Sequence, residues 1–357
     1  MIIDLVEQCS QGLVERRTLV EAIILAAVAK EHVLVIGPPG TAKSEAARRV
    51  ARGLGGRYFE YLLGKFSEPA ELFGPVDLRK LKEGVLETAT DGMLPEAEVA
   101  FLDEVFAGST AILNTLLALL NERTFRRGNT RLACPLRVCI GASNSLPEEE
   151  SLAAFADRFL VRCFVEPVSD SMLEVLLAGG RQIPIIDTCS LQELDHLSEQ
   201  ARQVDLSEVQ PLLANALRRL RKEGLGLSDR RSVRAQNLIA AAAALAGRSR
   251  ASAGDIWPLV LAVPSAAEQQ MARQCLEEVL AQSDNPNLYR LAEETSAAPR
   301  VRARRLVEVG DKLLQGPLDV LRIEGVLRDI DAGFATDQLP AELAQVRQRL
   351  TAALPCN

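Results

Sequence analysis

The sequence predicts an α/β protein, in which a parallel-sheet core precedes an all-helical segment and a helical C-terminal region. Three observations predict it. A short aliphatic run, Val33 to Ile36, enters a glycine-rich turn and then a helical pattern. Further apolar runs near 58–63, 98–104, 136–141 and 159–165 alternate with helical stretches, as parallel sheets require. From Val168 onward strand signals vanish, and Leu and Ala recur at helical spacing.

Composition sets the outer bounds. A chain of 357 residues, 48% hydrophobic and 25% charged, is an ordinary globular sequence with material for two or three domains. No run has the length needed to cross a bilayer, and Met1-Ile-Ile-Asp4 lacks a basic leader region, so neither a membrane span nor a signal peptide is expected. Seven scattered cysteines without a CxxC pair point to reduced thiols, a cytoplasmic location and no zinc site. The net charge of −7 argues against bulk affinity for nucleic acid.

Residues 2–30 read as two amphipathic helical segments broken at Gln11-Gly12. The run Gly37-Pro38-Pro39-Gly40-Thr41-Ala42-Lys43-Ser44 then has the make-up of a phosphate-binding P-loop. Glycines let backbone N–H groups turn inward, Lys43 supplies a cation and Ser44 a hydroxyl. The helix beginning at Glu45 points its positive end at the same place. ATP with Mg²⁺ is the expected ligand. Ala42 stands where the consensus has its second glycine, which suits a residue already helical with negative φ. Tyr58 to Leu63 reads as a second strand, and Ser67 as the cap of a helix with Pro69 in its first turn. Residues 76–92 read as a turn-rich hairpin.

Glu98-Val-Ala-Phe-Leu-Asp-Glu104 delivers two carboxylates at a strand's C-terminal end, where open α/β sheets bind ligands. Asp103, with Ser44, is expected to hold Mg²⁺, and Glu104 to activate the attacking water. The plainer reading is an acidic pair capping the next helix. A helix follows over Ala111 to Asn121, then a second hairpin near 123–135 turning at Gly128-Asn129. The strand Leu136 to Gly141 ends at Asn144, whose amide can reach the γ-phosphate or the lytic water. Arg158 closes the helix Ala153 to Arg158, either as a charge complementing the helix dipole or as a finger for a neighbouring subunit's nucleotide. In Ser228-Asp-Arg-Arg-Ser-Val-Arg234, Arg230, Arg231 and Arg234 crowd a helix N-terminus that disfavours cations, which points to an anionic partner. Trp257 reads as core. Ser283 to Asn287 reads as a boundary. Beyond it, Leu306 to Leu314 and Leu318 to Ile330 are helical, separated by Gly316-Pro317, and Arg300, Arg302, Arg304 and Arg305 read as a solvated face.

The P-loop with alanine before its lysine, Leu102-Asp-Glu104, Ala142-Ser-Asn144 and Asp157-Arg-Phe159 together resemble the MoxR family of AAA+ ATPases. Phe66-Ser-Glu-Pro-Ala-Glu-Leu-Phe-Gly-Pro75, Leu94-Pro-Glu-Ala97, Ile112 to Leu117, Asn121-Glu-Arg123 and Ser143-Asn-Ser-Leu-Pro147 resemble its RavA branch. The resemblance covers roughly residues 10–260. It implies an AAA+ α/β core over 1–166, a helical lid over 167–262 and a helical extension over 263–357. It also implies hairpins inserted near 76–92 and 123–135, with Asn144 as sensor 1, Arg158 as arginine finger and Arg230 as sensor 2, Arg231 being an alternative. Leu13 and Val14 are placed near the adenine. The family implies a ring, usually hexameric, that remodels or matures a protein client with a von Willebrand factor A partner. Two other readings are a nucleic-acid motor, using Arg126, Arg127 and Arg131, and a nucleotide-switched scaffold. The acidic charge counts against the first, and the presence of Glu104, Asn144 and Arg158 against the second. A pore-loop motif (aromatic, hydrophobic, glycine) is not evident after the second strand, so local remodelling is expected over threading.

Overall fold

The computed structural model describes residues 2–179, 191–296, 299–315, 320–334 and 339–354. Cys189, Cys356 and the Gly316-Pro317 breaker lie outside the described residues. Among the described residues the strands are β1 (Val33–Ile36), β2 (Tyr58–Leu62), β3 (Val99–Asp103), β4 (Thr124–Arg127), β5 (Thr130–Ala133), β6 (Val138–Ser143) and β7 (Val161–Phe164). Five make one parallel sheet in the order β2-β3-β6-β1-β7, and β4 and β5 pair as a separate antiparallel hairpin.

Helices cover both faces of the sheet, which explains why its strands are aliphatic without alternation. Val33, Val35, Val99, Phe101, Val138 and Ile140 point to one face. There they meet α1 (Ile2–Ser10), α2 (Arg17–Ala29) and α3 (Lys43–Leu54). Leu34, Ile36, Ala100, Leu102 and Cys139 point to the other. That face is covered by α4 (Pro69–Phe73), α6 (Thr110–Glu122) and α7 (Glu150–Ala156), with the short α5 (Leu78–Lys82) in the insert that follows α4. The result is an α/β core with a helical C-terminal region.

After β7 come α8 (Leu173–Gly179), α9 (Leu191–Gln203), α10 (Val209–Lys222), α11 (Asp229–Leu245), α12 (Ala266–Cys275) and α13 (Glu277–Leu280). The alanine run of α11, Ala240 to Ala244, is buried, and α11 packs against α2 and α9. Ala22, Ala26 and Ala27 of α2 are likewise fully buried. Small side chains on both helices permit the close approach, so the helices that follow β7 share one continuous core with the sheet. The last helices are α14 (Tyr289–Ser296), α15 (Pro299–Gln315), α16 (Val320–Gly333) and α17 (Ala341–Ala353). Leu306, Ile323, Ile330, Leu343 and Leu350 form a separate small core between α15, α16 and α17. Gly310 lets α15 and α17 touch, since a Cβ there would lie 2.4 Å from Val346.

Several expectations need correction. Ser67 does not cap α4. Its hydroxyl accepts from Gly64 N, while Glu68 and Glu71 form the capping box. Residues 76–92 are not a strand hairpin. Asp77 accepts from Arg79 N and Lys80 N and nucleates α5, leaving a single antiparallel bridge between Val76 and Thr88. Ser283 to Asn287 is no exposed boundary. Asn285 is fully buried and donates to Ala242 O, and Asn287 donates to Leu245 O, so the segment satisfies the last carbonyls of α11. Arg304 and Arg305 are tied to Asp284 and Glu293 rather than freely solvated. Trp257 is fully buried, as expected.

Candidate functional site

The C-terminal ends of β1, β3 and β6 meet at one edge, because register pairs Ile36 with Ser143 and Leu102 with Gly141. The glycine loop springs from that edge. Gly37 N donates to Ser143 O, and a Cβ on Gly37 would lie 2.1 Å from Val165 O, so only glycine fits. Pro38, Pro39 and Gly40 are exposed at the crown, and Gly40 has φ +78° with open space above it. Thr41 Oγ1 donates to Pro38 O at 2.9 Å, and Lys43 Nζ donates to Gly37 O and Pro38 O at 2.7 and 2.9 Å. The Lys43 ammonium is therefore pointed back into the loop. Burial lowers its pKa, opposed by the carboxylates of Asp103 and Glu104.

Ala42 departs from the expected conformation. Its φ is +59° and the helix starts only at Lys43, so an alanine occupies the left-handed region where glycine costs nothing. Glu104 is also left-handed, with φ +48°. Its N–H donates to Asp103 Oδ1 at 3.0 Å, and its carboxylate accepts from Asn144 Nδ2 at 2.8 Å. The structure thus brings together Lys43, Asp103, Glu104 and Asn144. Ser44 follows Lys43 in the first turn of α3. Ser44 and Asp103 are hard oxygen donors, and among the described residues no group of three or more His, Cys, Asp or Glu could hold a metal by itself. That donor set fits Mg²⁺, which takes most of its ligands from phosphate and water.

Sequence reading missed Arg16. It is 5% exposed, and donates from Nε to Thr41 O at 2.8 Å and from Nη2 to Glu166 O at 2.6 Å. Glu15 beside it accepts from Ser169 N and Oγ, which lowers its pKa. The segment between α1 and α2 is thereby tied to the P-loop and to the start of the lid. Arg49 also donates to Gln11 O. Leu13 and Val14 sit in that segment, Val14 being buried and Leu13 packed on the core. No motif marks Arg16; the only available signal was an arginine next to a break between two apolar helices.

Arg158 and Arg230 lie elsewhere. Arg158 precedes β7, and Val161 N donates to His32 O just before β1, so this is the N-terminal edge of the sheet. A four-residue strand separates the two edges by roughly 13 Å. Arg158 Nε is buried without a hydrogen-bond partner among the described residues. Arg230 donates to Asn121 at the end of α6, next to Leu120, whose carbonyl bonds His32. Neither arginine is beside its own P-loop. Arg231 is 1% exposed and is spent inside the chain. It donates to Asp157 Oδ1 (3.3 Å), Phe159 O (3.2 Å), Leu160 O (2.7 Å) and Ala262 O (2.8 Å). It therefore pins the backbone on both sides of Arg158 to the lid. Arg234 pairs with Glu31 at 3.2 Å. Carbonyls, an amide and two carboxylates of the same chain thus take up part of the charge that suggested an anionic partner for this helix end.

The family model for the MoxR domain of MoxR–vWA–beta-propeller ternary systems matches residues 1–204. The chain belongs to the MoxR family. Two relatives from Methanocaldococcus jannaschii, both described as uncharacterized proteins, are 36% and 35% identical over 252 residues, 70% of this chain. The matches cover 66% and 68% of those relatives, so the chain spans about two thirds of their length. Chaperone MoxR1 of Mycobacterium tuberculosis is 26% identical over 189 residues, covering 50% of this chain and 49% of its own. A crystal structure of a Cytophaga hutchinsonii protein described as a candidate ATPase superposes with TM-score 0.63 at 17% identity. It covers 79% of this chain and 93% of its own, and it supports the AAA+ fold alone. Among the described residues no helix is long and apolar enough to cross a membrane.

Proposed function

We propose that this MoxR protein hydrolyses ATP as a ring in which each active site is shared between neighbouring subunits, and that it remodels or matures a protein client. The observation that carries the reading is the division of the chemistry: the Glu104–Asn144 pair stands beside the P-loop, while Arg158 and Arg230 stand at the other edge of the sheet. One subunit holds the water-activating half and offers the charge-stabilising half to another.

In this reading the amides of Gly37 to Thr41 cradle the phosphates, and Lys43 turns from its loop carbonyls onto them. Ser44 and Asp103 hold Mg²⁺, which neutralises phosphate charge when bound. Glu104 takes the proton of the attacking water. Asn144, already bonded to Glu104, orients that carboxylate and senses the γ-phosphate. Arg158 of the next subunit meets the charge that develops in the transition state, with Arg230 beside the same nucleotide. Leu13 and Val14 flank the adenine. A hexamer is the expected ring. The name of the matching family model supports a von Willebrand factor A partner for this chain. Placement in a RavA-like branch rests on the motif stretches near 66–75 and 143–147.

The test is ATP turnover per subunit against protein concentration, for wild type and Arg158→Ala. The wild-type rate per subunit is expected to climb with concentration. The variant should stay about a thousandfold lower while still binding nucleotide. Equal turnover of both proteins at every concentration would sink the shared-site reading.

A further inference from the structure

We propose that the seam between the sheet core and the lid is a binding site for a small oxyanion of the phosphate or sulfate class, held by Arg123, Ser198 and Arg234. The seam forms an open-sided cavity of about 300 Å³. Lys30, Glu31 and Arg123 line it from the core, and Ser198, Arg202 and Arg234 from the lid.

Two unpartnered polar atoms lie in its opposite walls. Ser198 is 2% exposed, and its hydroxyl has no hydrogen-bond partner among the described residues. Arg123, held in a left-handed conformation at the C-terminus of α6, donates from Nη2 to Lys30 O at 2.7 Å. Its Nη1 is buried without a partner. A buried donor left unpaired is unfavourable, and more so when it carries charge.

The charges of the lining do not balance. Among the described residues Glu31 is its only carboxylate, and both oxygens are already engaged, by Arg234 at 3.2 Å and by Asn237 at 2.9 Å. Arg123 and Arg234 are the less exposed cations of the lining, whereas Lys30 and Arg202 are exposed to water, Arg202 pairing with Glu199 at 3.5 Å. Behind them His32 donates to Leu120 O and accepts from Cys139 N, and burial holds its pKa well below the usual range, so it is neutral. Water could satisfy single donors but would leave the positive excess in place. An oxyanion supplies acceptors in several directions together with the missing charge. The lining contains no aromatic side chain on which a base could stack, so the ligand is a free oxyanion rather than a nucleotide. Arg123 follows the core helix α6, whereas Ser198 and Arg234 ride on the lid helices α9 and α11. An ion here would cross-link the two and stiffen the seam, whether or not the P-loop reading is right.

The experiment is calorimetric titration of inorganic phosphate into the full chain, with melting temperature followed in parallel. Wild type, Lys43→Ala, Ser198→Ala and Arg234→Gln are compared. Ser198→Ala removes only an unbonded hydroxyl, so its fold should be unchanged by circular dichroism. Phosphate is expected to bind wild type and Lys43→Ala alike and to raise both melting temperatures. Affinity should fall by about tenfold in each seam variant, the loss of one good charge-assisted contact. ADP titrated into Lys43→Ala should not compete with phosphate. Binding that disappears in Lys43→Ala and persists in the seam variants would assign the phosphate to the P-loop and overturn the proposal. So would the absence of any phosphate-dependent heat in wild type.

Discussion

The two edges of the central sheet carry opposite chemistry. At the C-terminal edge, Asp103, Glu104 and Asn144 face an open glycine loop whose lysine bonds only to its own carbonyls. At the N-terminal edge, Arg158, Arg230 and Arg231 gather around the ends of α6 and α7, with His32 locked behind them. The first edge is acidic, open and strained, with left-handed Ala42 and Glu104. The second is basic, and buried donors of Arg123, Arg158 and Arg162 there are unpaired among the described residues. In the proposed reading the acidic and basic groups of one reaction are kept apart within a subunit, and assembly would bring them together.

The sharpest way to break this comparison is at Glu104. If the acidic edge does the chemistry, Glu104→Gln should retain ATP binding and lose turnover by about 10²–10⁴-fold, read by single-turnover hydrolysis. An unchanged rate would reduce Asp103 and Glu104 to a helix cap. At the basic edge, Arg231→Met should cost about 3 kcal/mol of stability, because three core carbonyls lose a buried donor. It should also lower turnover in the assembled state without changing nucleotide affinity, since it loosens the turn carrying Arg158. A variant with normal turnover would show that the finger needs no support from the lid.

Glu21 extends the comparison to the C-terminal helices. It is fully buried on α2, where it accepts from Arg17 Nε at 2.9 Å and from Leu291 N at 2.7 Å. Burial pushes its pKa up to about 7. The folded chain therefore binds more protons than the unfolded one between the ordinary glutamate value and about 7. Its contribution to stability is full below that window and is lost as pH rises through it. Between pH 5.5 and 8 the loss should be roughly 2 kcal/mol. Burial raises Glu31 and Glu294 in the same direction. Denaturant midpoints at pH 5.5 and 8 should therefore differ, and Glu21→Gln should remove part of that difference. An identical slope in the variant would refute the assignment to Glu21. The smallest effect is expected at Ala42. Replacing it by glycine should relieve left-handed strain and stabilise the fold by up to about 1 kcal/mol, with nucleotide affinity retained. A loss of stability would mean that the alanine side chain makes contacts worth more than the strain.

The acidic edge was readable because its parts are contiguous. Gly37 to Ser44 and Asp103-Glu104 each hold several functional groups on one turn of chain, and Asn144 follows a strand that had to pair near β3. Local rules failed where a neighbour competed. Asp77 turned a hairpin into a helix, Glu68 displaced Ser67 as a cap, and Ala42 took the conformation its loop demanded. The buried turn at Asn285 looked like a linker because its partners, Ala242 and Leu245, lie some forty residues away.

By itself the sequence determined the P-loop, the strand-end carboxylates and the change from sheet to helix, since hydrophobic period and turn chemistry act over a few residues. Only the tertiary structure decided which arginines are free. Arg16, Arg158, Arg230 and Arg231 are chemically alike, and what separates them is the set of carbonyls and carboxylates that the fold places within hydrogen-bond reach.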